Sequence, residues 1–148
     1  MKAREQAVRM IATFFGAGYS PWAPGTMGSL AGILISWFAG DLFWPLLALL
    51  IFLGFAVSKP AVSVFASGDP SAFVMDEVVG MMISVSFLPK TIFFYGGAFI
   101  LFRLFDITKP WPISLIQKSK HPWAIMGDDI LAGVFANLLI YSLLLTYR

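Results

Sequence analysis

Beyond its first thirty residues this chain is a succession of apolar stretches. Only the last, residues 130–147, is about as long as one bilayer-crossing helix must be. Residues 30–57 are apolar but broken around Gly40-Asp41 and Pro45, and residues 78–88 and 91–105 are separated by Pro89-Lys90. Two layouts compete. With three long spans, Asp76-Glu77 falls on the opposite side of a membrane from Asp106 and Asp128-Asp129. With two helical hairpins and a final span, all five acids return to one side. The hairpin layout also gathers Lys2, Arg4, Arg9, Lys59, Arg103, Lys109, Lys118 and Lys120 there. Only Lys90 and Arg148 fall opposite, the asymmetry expected of a cytoplasmic side. Hairpins are therefore expected, with some arms re-entrant or their helices continuing into the polar loops, because arms of roughly 11–16 apolar residues fall short of the ~20 a full span needs.

Composition explains why a membrane enters the argument at all. Hydrophobic residues make up 59% of the chain and charged residues 12%, against roughly 25% charge in soluble domains. Mean hydropathy is +0.83. A chain of 148 residues is too small to bury that much apolar surface within itself. The fold class expected is an all-α, compact integral membrane bundle of short helical hairpins, one domain over residues 1–148, with a polar site facing the cytoplasm. A net charge of +2 without a dense basic tract gives no reason to expect nucleic acid. The absence of cysteine excludes disulfides, thiolate nucleophiles and cysteine-ligated zinc.

At the N-terminus, Lys2, Arg4 and Arg9 read as a cytoplasmic anchor rather than a signal peptide. Val8, Ile11, Ala12 and Phe15 stand at helical spacing and predict a short interfacial helix over residues 1–15. Residues 16–29 read as a loop, with Thr26 or Ser29 capping the helix that follows. Residues 58–75 are more polar and contain the turn-like Ser67-Gly68-Asp69-Pro70.

Polar density is highest between Arg103 and Gly133, where Arg103, Asp106, Lys109, Lys118, Lys120, Asp128 and Asp129 stand between two apolar segments. Carboxylates at the edge of membrane helices are costly unless paired, hydrated or metal-bound. Asp76, Glu77, Asp106, Asp128 and Asp129 are thus candidate metal ligands and catalytic groups. Mg²⁺ is the ion suited to such oxygen donors. Adjacent helical residues point about 100° apart, so one member of each acidic pair is expected at the metal and the other beside it. The competing structural reading makes Asp76 and Asp128 helix caps. Arg103 and Lys109 bracket Asp106 and can either bind a phosphate or neutralise that acid. Lys118, Lys120 and His121 are assigned to anionic lipid headgroups. Residues 24–29 (Pro-Gly-Thr-Met-Gly-Ser) offer N–H groups and hydroxyls to a phosphate, although Gly28 and Gly32 also have the spacing of close helix packing.

These segments resemble the phosphatidylglycerophosphatase A family of small bacterial membrane enzymes. The resemblance rests on residues 20–29 (Ser-Pro-Trp-Ala-Pro-Gly-Thr-Met-Gly-Ser), 74–80 (Val-Met-Asp-Glu-Val-Val-Gly), 102–113 (Phe-Arg-Leu-Phe-Asp-Ile-Thr-Lys-Pro-Trp-Pro-Ile) and 125–133 (Ile-Met-Gly-Asp-Asp-Ile-Leu-Ala-Gly). They occur in family order. One departure is Lys120-His121-Pro122-Trp123-Ala124, where members often have a glycine-rich approach to the Asp-Asp pair. The resemblance implies a Mg²⁺-dependent phosphatase of the bacterial cytoplasmic membrane that converts phosphatidylglycerol phosphate to phosphatidylglycerol, on the route to cardiolipin. It implies the five acids as the reacting centre and Lys109 as a phosphate partner. With the loop reading, the substrate-binding set is Arg103, Lys109, Ser20, Gly25, Thr26 and Ser29. Whether a carboxylate or a metal-activated water attacks phosphorus stays open. The rival from another class is a small ion or proton transporter lined by the same acids.

Overall fold

The computed structural model describes residues 2–146. Among them are seven α-helices and no strand: α1 (Lys2–Ala12), α2 (Pro24–Phe38), α3 (Phe43–Val64), α4 (Met75–Ser84), α5 (Ile92–Thr108), α6 (Ile113–Gln117) and α7 (Ala124–Thr146). The expected all-α bundle is what forms. Tyr147 and Arg148, where the sequence ends the last span and sets a far-side cation, lie outside the described residues. The helices α2 and α3 make one hairpin and α4 and α5 a second. The starts of α2, α4 and α7 and the end of α5 therefore meet at one end, together with the loop after α3. Residues 30–57 thus belong to a hairpin, not to one tilted span.

At the centre stands α4. Met75, Asp76, Val78, Val79, Gly80, Met81, Met82 and Ser84 are all buried, and the helix packs most extensively against α7 and α2. A helix apolar on every side must be sheathed by others. Ten residues rise only about 15 Å, half the ~30 Å hydrocarbon core. Close approach comes from glycine. A Cβ on Gly28 or Gly32 of α2 would stand 2.9 Å from the Val74 carbonyl oxygen and 2.7 Å from that of Val78. On the opposite flank, Gly133 of α7 lies directly against the Gly80 backbone. The four-residue glycine spacing is therefore used for helix packing.

Helices that stop within apolar surroundings leave carbonyls needing donors. Asn137 of α7 supplies two, its Nδ2 donating to Ser84 O at 3.1 Å and Ser86 O at 2.6 Å. Lys90 Nζ donates to Trp37 O at 3.0 Å near the end of α2. Arg9 closes α3, donating to Val64 O at 2.8 Å with its guanidinium 4.9 Å from the Phe65 ring centroid. Leu34, Phe38, Phe52, Phe93, Ile100 and Leu138 are exposed on the outside, a surface far more apolar than a soluble monomer presents. The segments Gly40–Val64 and Ala124–Thr146 are long and apolar enough to cross a membrane.

Several sequence-derived boundaries move. The helix predicted over residues 1–15 ends at Ala12, and Phe15 is exposed in a turn at positive φ. The loop predicted to Ser29 ends at Ala23, because Pro24 is preset for the first helical turn. Neither Thr26 nor Ser29 caps α2; Ser29 Oγ donates back to Gly25 O at 2.8 Å. The helix α3 continues through Lys59 and Pro60 to Val64. The last helix begins at Ala124, so Asp128 lies inside it and is not its cap. Asp76 is likewise one residue inside α4, whose N-cap is Val74.

Candidate active site

Six chain segments converge on a cavity of about 800 Å³ at one end of the bundle, two of them the loop after α3 and the connection from α6 to α7. Pro24 and Gly25 come from the start of α2, Asp76 and Glu77 from the first turn of α4, and Asp128 and Asp129 from the second turn of α7. Arg103, Asp106 and Lys109 come from the end of α5. All five predicted acids line this one cavity, as the hairpin layout requires. The first turn of α4 also suits acids electrostatically, since a helix N-terminus carries partial positive charge.

Three carboxylates form the floor. Asp76, Glu77 and Asp129 each bring an oxygen within 4.8 Å of the other two. Asp76 and Asp129 are buried and Glu77 nearly so. Glu77 Oε2 and Asp129 Oδ2 are enclosed without any hydrogen-bond partner. Asp76 and Glu77 both belong to this group. The Asp76 side chain turns along the helix start, where Oδ1 accepts from Glu77 N at 3.0 Å, and stays beside its neighbour. The second pair does divide. Asp128 Oδ1 accepts from Asp129 N at 3.0 Å, and its other oxygen pairs with Lys109.

Both cations of α5 are held by carboxylates. Arg103 pairs with Asp106 one turn along the helix. Lys109 closes α5 in a left-handed conformation, φ 42°. From there Nζ bonds Asp128 and lies 3.6 Å from Asp106 Oδ1 and 3.8 Å from Asp129 Oδ1. Burial alone would depress the Lys109 ammonium, but Asp129, Asp128 and Asp106 outweigh it and hold its pKa above the ordinary lysine value. Five carboxylates facing two cations leave three negative charges in excess if all are ionised. A low-dielectric pocket does not tolerate that excess without protons or a further cation.

The predicted phosphate loop contributes less than expected. Only Gly25 of the set Ser20, Gly25, Thr26 and Ser29 lines the cavity. Ser29 is fully buried and bonded within α2, while Ser20 follows a short 3₁₀ turn away from the pocket. Gly25 is there because nothing larger fits. A Cβ would stand 2.6 Å from Glu77 Oε1 and 2.9 Å from an Arg103 guanidinium nitrogen. The structure adds lining residues that sequence reading assigned elsewhere: Asp69, taken as part of a turn, and Lys120 and His121, taken as headgroup contacts. Their only signal was polarity in loops adjoining the acidic motifs.

A small helical bundle with two segments long and apolar enough to cross a membrane gathers, at one end, clustered carboxylates and the cations Arg103 and Lys109 in a single cavity, groups suited to holding a metal ion and a phosphate. The phosphatidylglycerophosphatase A family profile matches residues 10–144, and the chain belongs to that family of phosphoric monoester hydrolases. It is 37% identical over 138 residues to an Escherichia coli protein named phosphatidylglycerophosphatase A, covering 89% of this chain and 80% of that one. A Haemophilus influenzae protein of the same name is 34% identical, with 92% and 88% covered. A Bacteroides thetaiotaomicron protein named putative phosphatidylinositol-3-phosphatase is 38% identical, with 88% and 89% covered. No solved structure matches significantly.

Proposed function

We propose that this protein is a Mg²⁺-dependent lipid phosphate monoesterase that hydrolyses phosphatidylglycerol phosphate to phosphatidylglycerol and phosphate. Family membership supports the reaction class. The observation that carries the metal is the orphaned pair of buried oxygens, Glu77 Oε2 and Asp129 Oδ2, beside Asp76. Three clustered carboxylates with spare lone pairs are the hard oxygen donors this ion takes, and a dication offsets most of the local negative charge. Bound by Asp76, Glu77 and Asp129, Mg²⁺ would neutralise phosphate oxygens and make a coordinated water more acidic.

The remaining groups have separable tasks. Arg103 holds Asp106, and Lys109 ties Asp106 to Asp128, so the carboxylates are oriented before substrate arrives. Both cations border the cavity, where they add positive charge toward an entering phosphate. Water adds across the phosphomonoester P–O bond, hydroxide going to phosphorus and the proton to the departing glycerol oxygen. A carboxylate not spent on the metal, Asp106 or Asp128, is placed to manage that proton. The relatives' names, phosphatidylglycerophosphatase and phosphatidylinositol-3-phosphatase, share one substrate chemistry. In each, a monoester phosphate sits on a polyol joined through a second, diester phosphate to the lipid.

The same reading places the protein in a bacterial cytoplasmic membrane as a multi-pass bundle with its site toward the cytoplasm. Support comes from the basic residues of the site end, among them Arg9, Lys59, Lys109, Lys118 and Lys120, with Lys90 beyond the far end of α4. A transporter needs acids distributed in depth, and six of the eight line the one cavity. The deciding experiment is phosphate release from phosphatidylglycerol phosphate in detergent, with Mg²⁺ and with EDTA. Activity unaffected by thorough chelation would remove the metal from the reading, and no release at all would remove the function.

A further inference from the structure

The cavity's cations fall into two sets. On its α5 wall, Arg103 and Lys109 are each ion-paired with the acidic cluster. The end of α6 and the loop between α6 and α7 bring Gln117, Ser119, Lys120 and His121 to the same cavity. Among the described residues no carboxylate lies within 4 Å of the Lys120 ammonium or the His121 ring. His121 Nδ1 accepts a long hydrogen bond from Trp123 N at 3.4 Å, so Nε2 is the ring nitrogen left to meet an anion. Lys120 and His121 are exposed whereas Asp129 is buried, so this second set stands at the mouth and the carboxylates at the floor. A cavity of about 800 Å³ is larger than a lone phosphate fills.

We infer that Lys120 and His121 form a second anion subsite that receives the diester phosphate of the lipid while the monoester phosphate sits at the floor. This rests on the proposed function, since only a substrate with two phosphates fills both places. The chemistry is that of a mobile ammonium and an imidazole meeting a phosphodiester monoanion at a wet rim. Gln117 and Ser119 line the same cavity and can donate to the intervening polyol hydroxyls. The loop would thereby set specificity, favouring lipids that carry a diester behind the monoester. It takes no part in breaking the bond.

The test uses Lys120→Ala, Lys120→Arg and His121→Ala in neutral-detergent micelles where phosphatidylglycerol phosphate is the only phospholipid. A hydrogen bond to a charged group is typically worth about ten- to a hundredfold. Lys120→Ala should therefore raise KM for the lipid about tenfold or more, the change falling on KM and not on kcat. Lys120→Arg should restore most of it, and His121→Ala should raise KM less. The inhibition constant of inorganic phosphate, which occupies only the floor, should stay put. Unchanged KM, or KM and the phosphate constant rising together, overturns the subsite. A KM effect that appears only in anionic vesicles also overturns it, in favour of surrounding headgroups. Wild-type protein that releases no phosphate from this lipid would instead defeat the underlying function.

Discussion

Glu77 on α4 and Asp129 on α7 bring carboxylate oxygens within 4.8 Å of each other, and each keeps one buried oxygen without a hydrogen-bond partner. Two acids so placed repel when ionised and cost desolvation besides, so nothing about their juxtaposition serves the stability of the bare fold. Asp129→Asn should accordingly separate function from stability. Phosphate release should fall by about 100-fold or more, beyond the 10–100-fold that loss of an outer partner of a metal costs. The melting temperature without Mg²⁺ should stay level or rise. Wild-type protein should gain stability from Mg²⁺, about 2.7 kcal/mol at a hundredfold excess over Kd, and the variant should lose that gain. Thermal melts in detergent with and without Mg²⁺ check it; a variant that keeps both activity and the metal-induced shift contradicts the assignment.

Gly25 offers a steric test of the same floor. A methyl group there would press on Glu77 Oε1 and the Arg103 guanidinium, both closer than 3.0 Å. Gly25→Ala should cut activity at least about tenfold, since sub-ångström misplacement of reacting groups is costly. Gly96→Ala is the control, because no atom lies within 4 Å of its would-be Cβ. That substitution in α5 should leave activity intact and stabilise by about 0.5–1 kcal/mol. Comparable losses in the two variants would show that helix propensity, not the pocket, governs the effect.

How much of this was legible in the sequence depends on the range of the interaction. The acids announced themselves, because Asp76, Glu77, Asp106, Asp128 and Asp129 interrupt apolar surroundings where ionised groups are costly. Their return to one end followed from helix breaks at Gly40 and Pro89 and from the bias of basic residues. Helix starts were harder. Neither α2 nor α4 has a side-chain cap, so the usual polar signal is missing at Pro24 and Met75. The role of Lys109 depends on a bond to Asp128 nineteen positions away, which no local pattern encodes. Asp69 was hidden by its setting, since Gly-Asp-Pro is also what an ordinary turn looks like.

Lys109 should matter to folding as well as to turnover. Its ammonium bonds Asp128 and stands near Asp106 and Asp129. Removing one partner of a buried ion pair typically costs about 3–5 kcal/mol, and Lys109→Met should lower stability by that order, with Lys109→Arg recovering part. The pH dependence has a definite sign. A raised lysine pKa gives stability that is fully present below the unfolded value of about 10.4. That stability is lost only as pH rises through the higher folded value. Titration of Lys109 therefore should not weaken the fold between pH 7 and 10. If a stability loss in that range disappears in Lys109→Met, the retained charge is disproved.

Asn137 should prove structural and indifferent to chemistry. It sits on α7 well beyond the acidic pair, and its amide donates to Ser84 O and Ser86 O where the central helix α4 ends. Neither carbonyl has water to turn to if this end lies in the hydrocarbon region. Asn137→Leu keeps the size and removes both donors. An orphaned buried carbonyl costs about 1–3 kcal/mol, so the melting temperature should fall clearly. Asn137→Asp, which replaces the amide donors with a carboxylate facing two carbonyls, should be worse still. The folded fraction of Asn137→Leu should retain near wild-type KM and kcat, because the cavity lies at the other end of α4. A variant of wild-type stability but impaired turnover would reverse this assignment and make the far end of α4 part of the catalytic machinery.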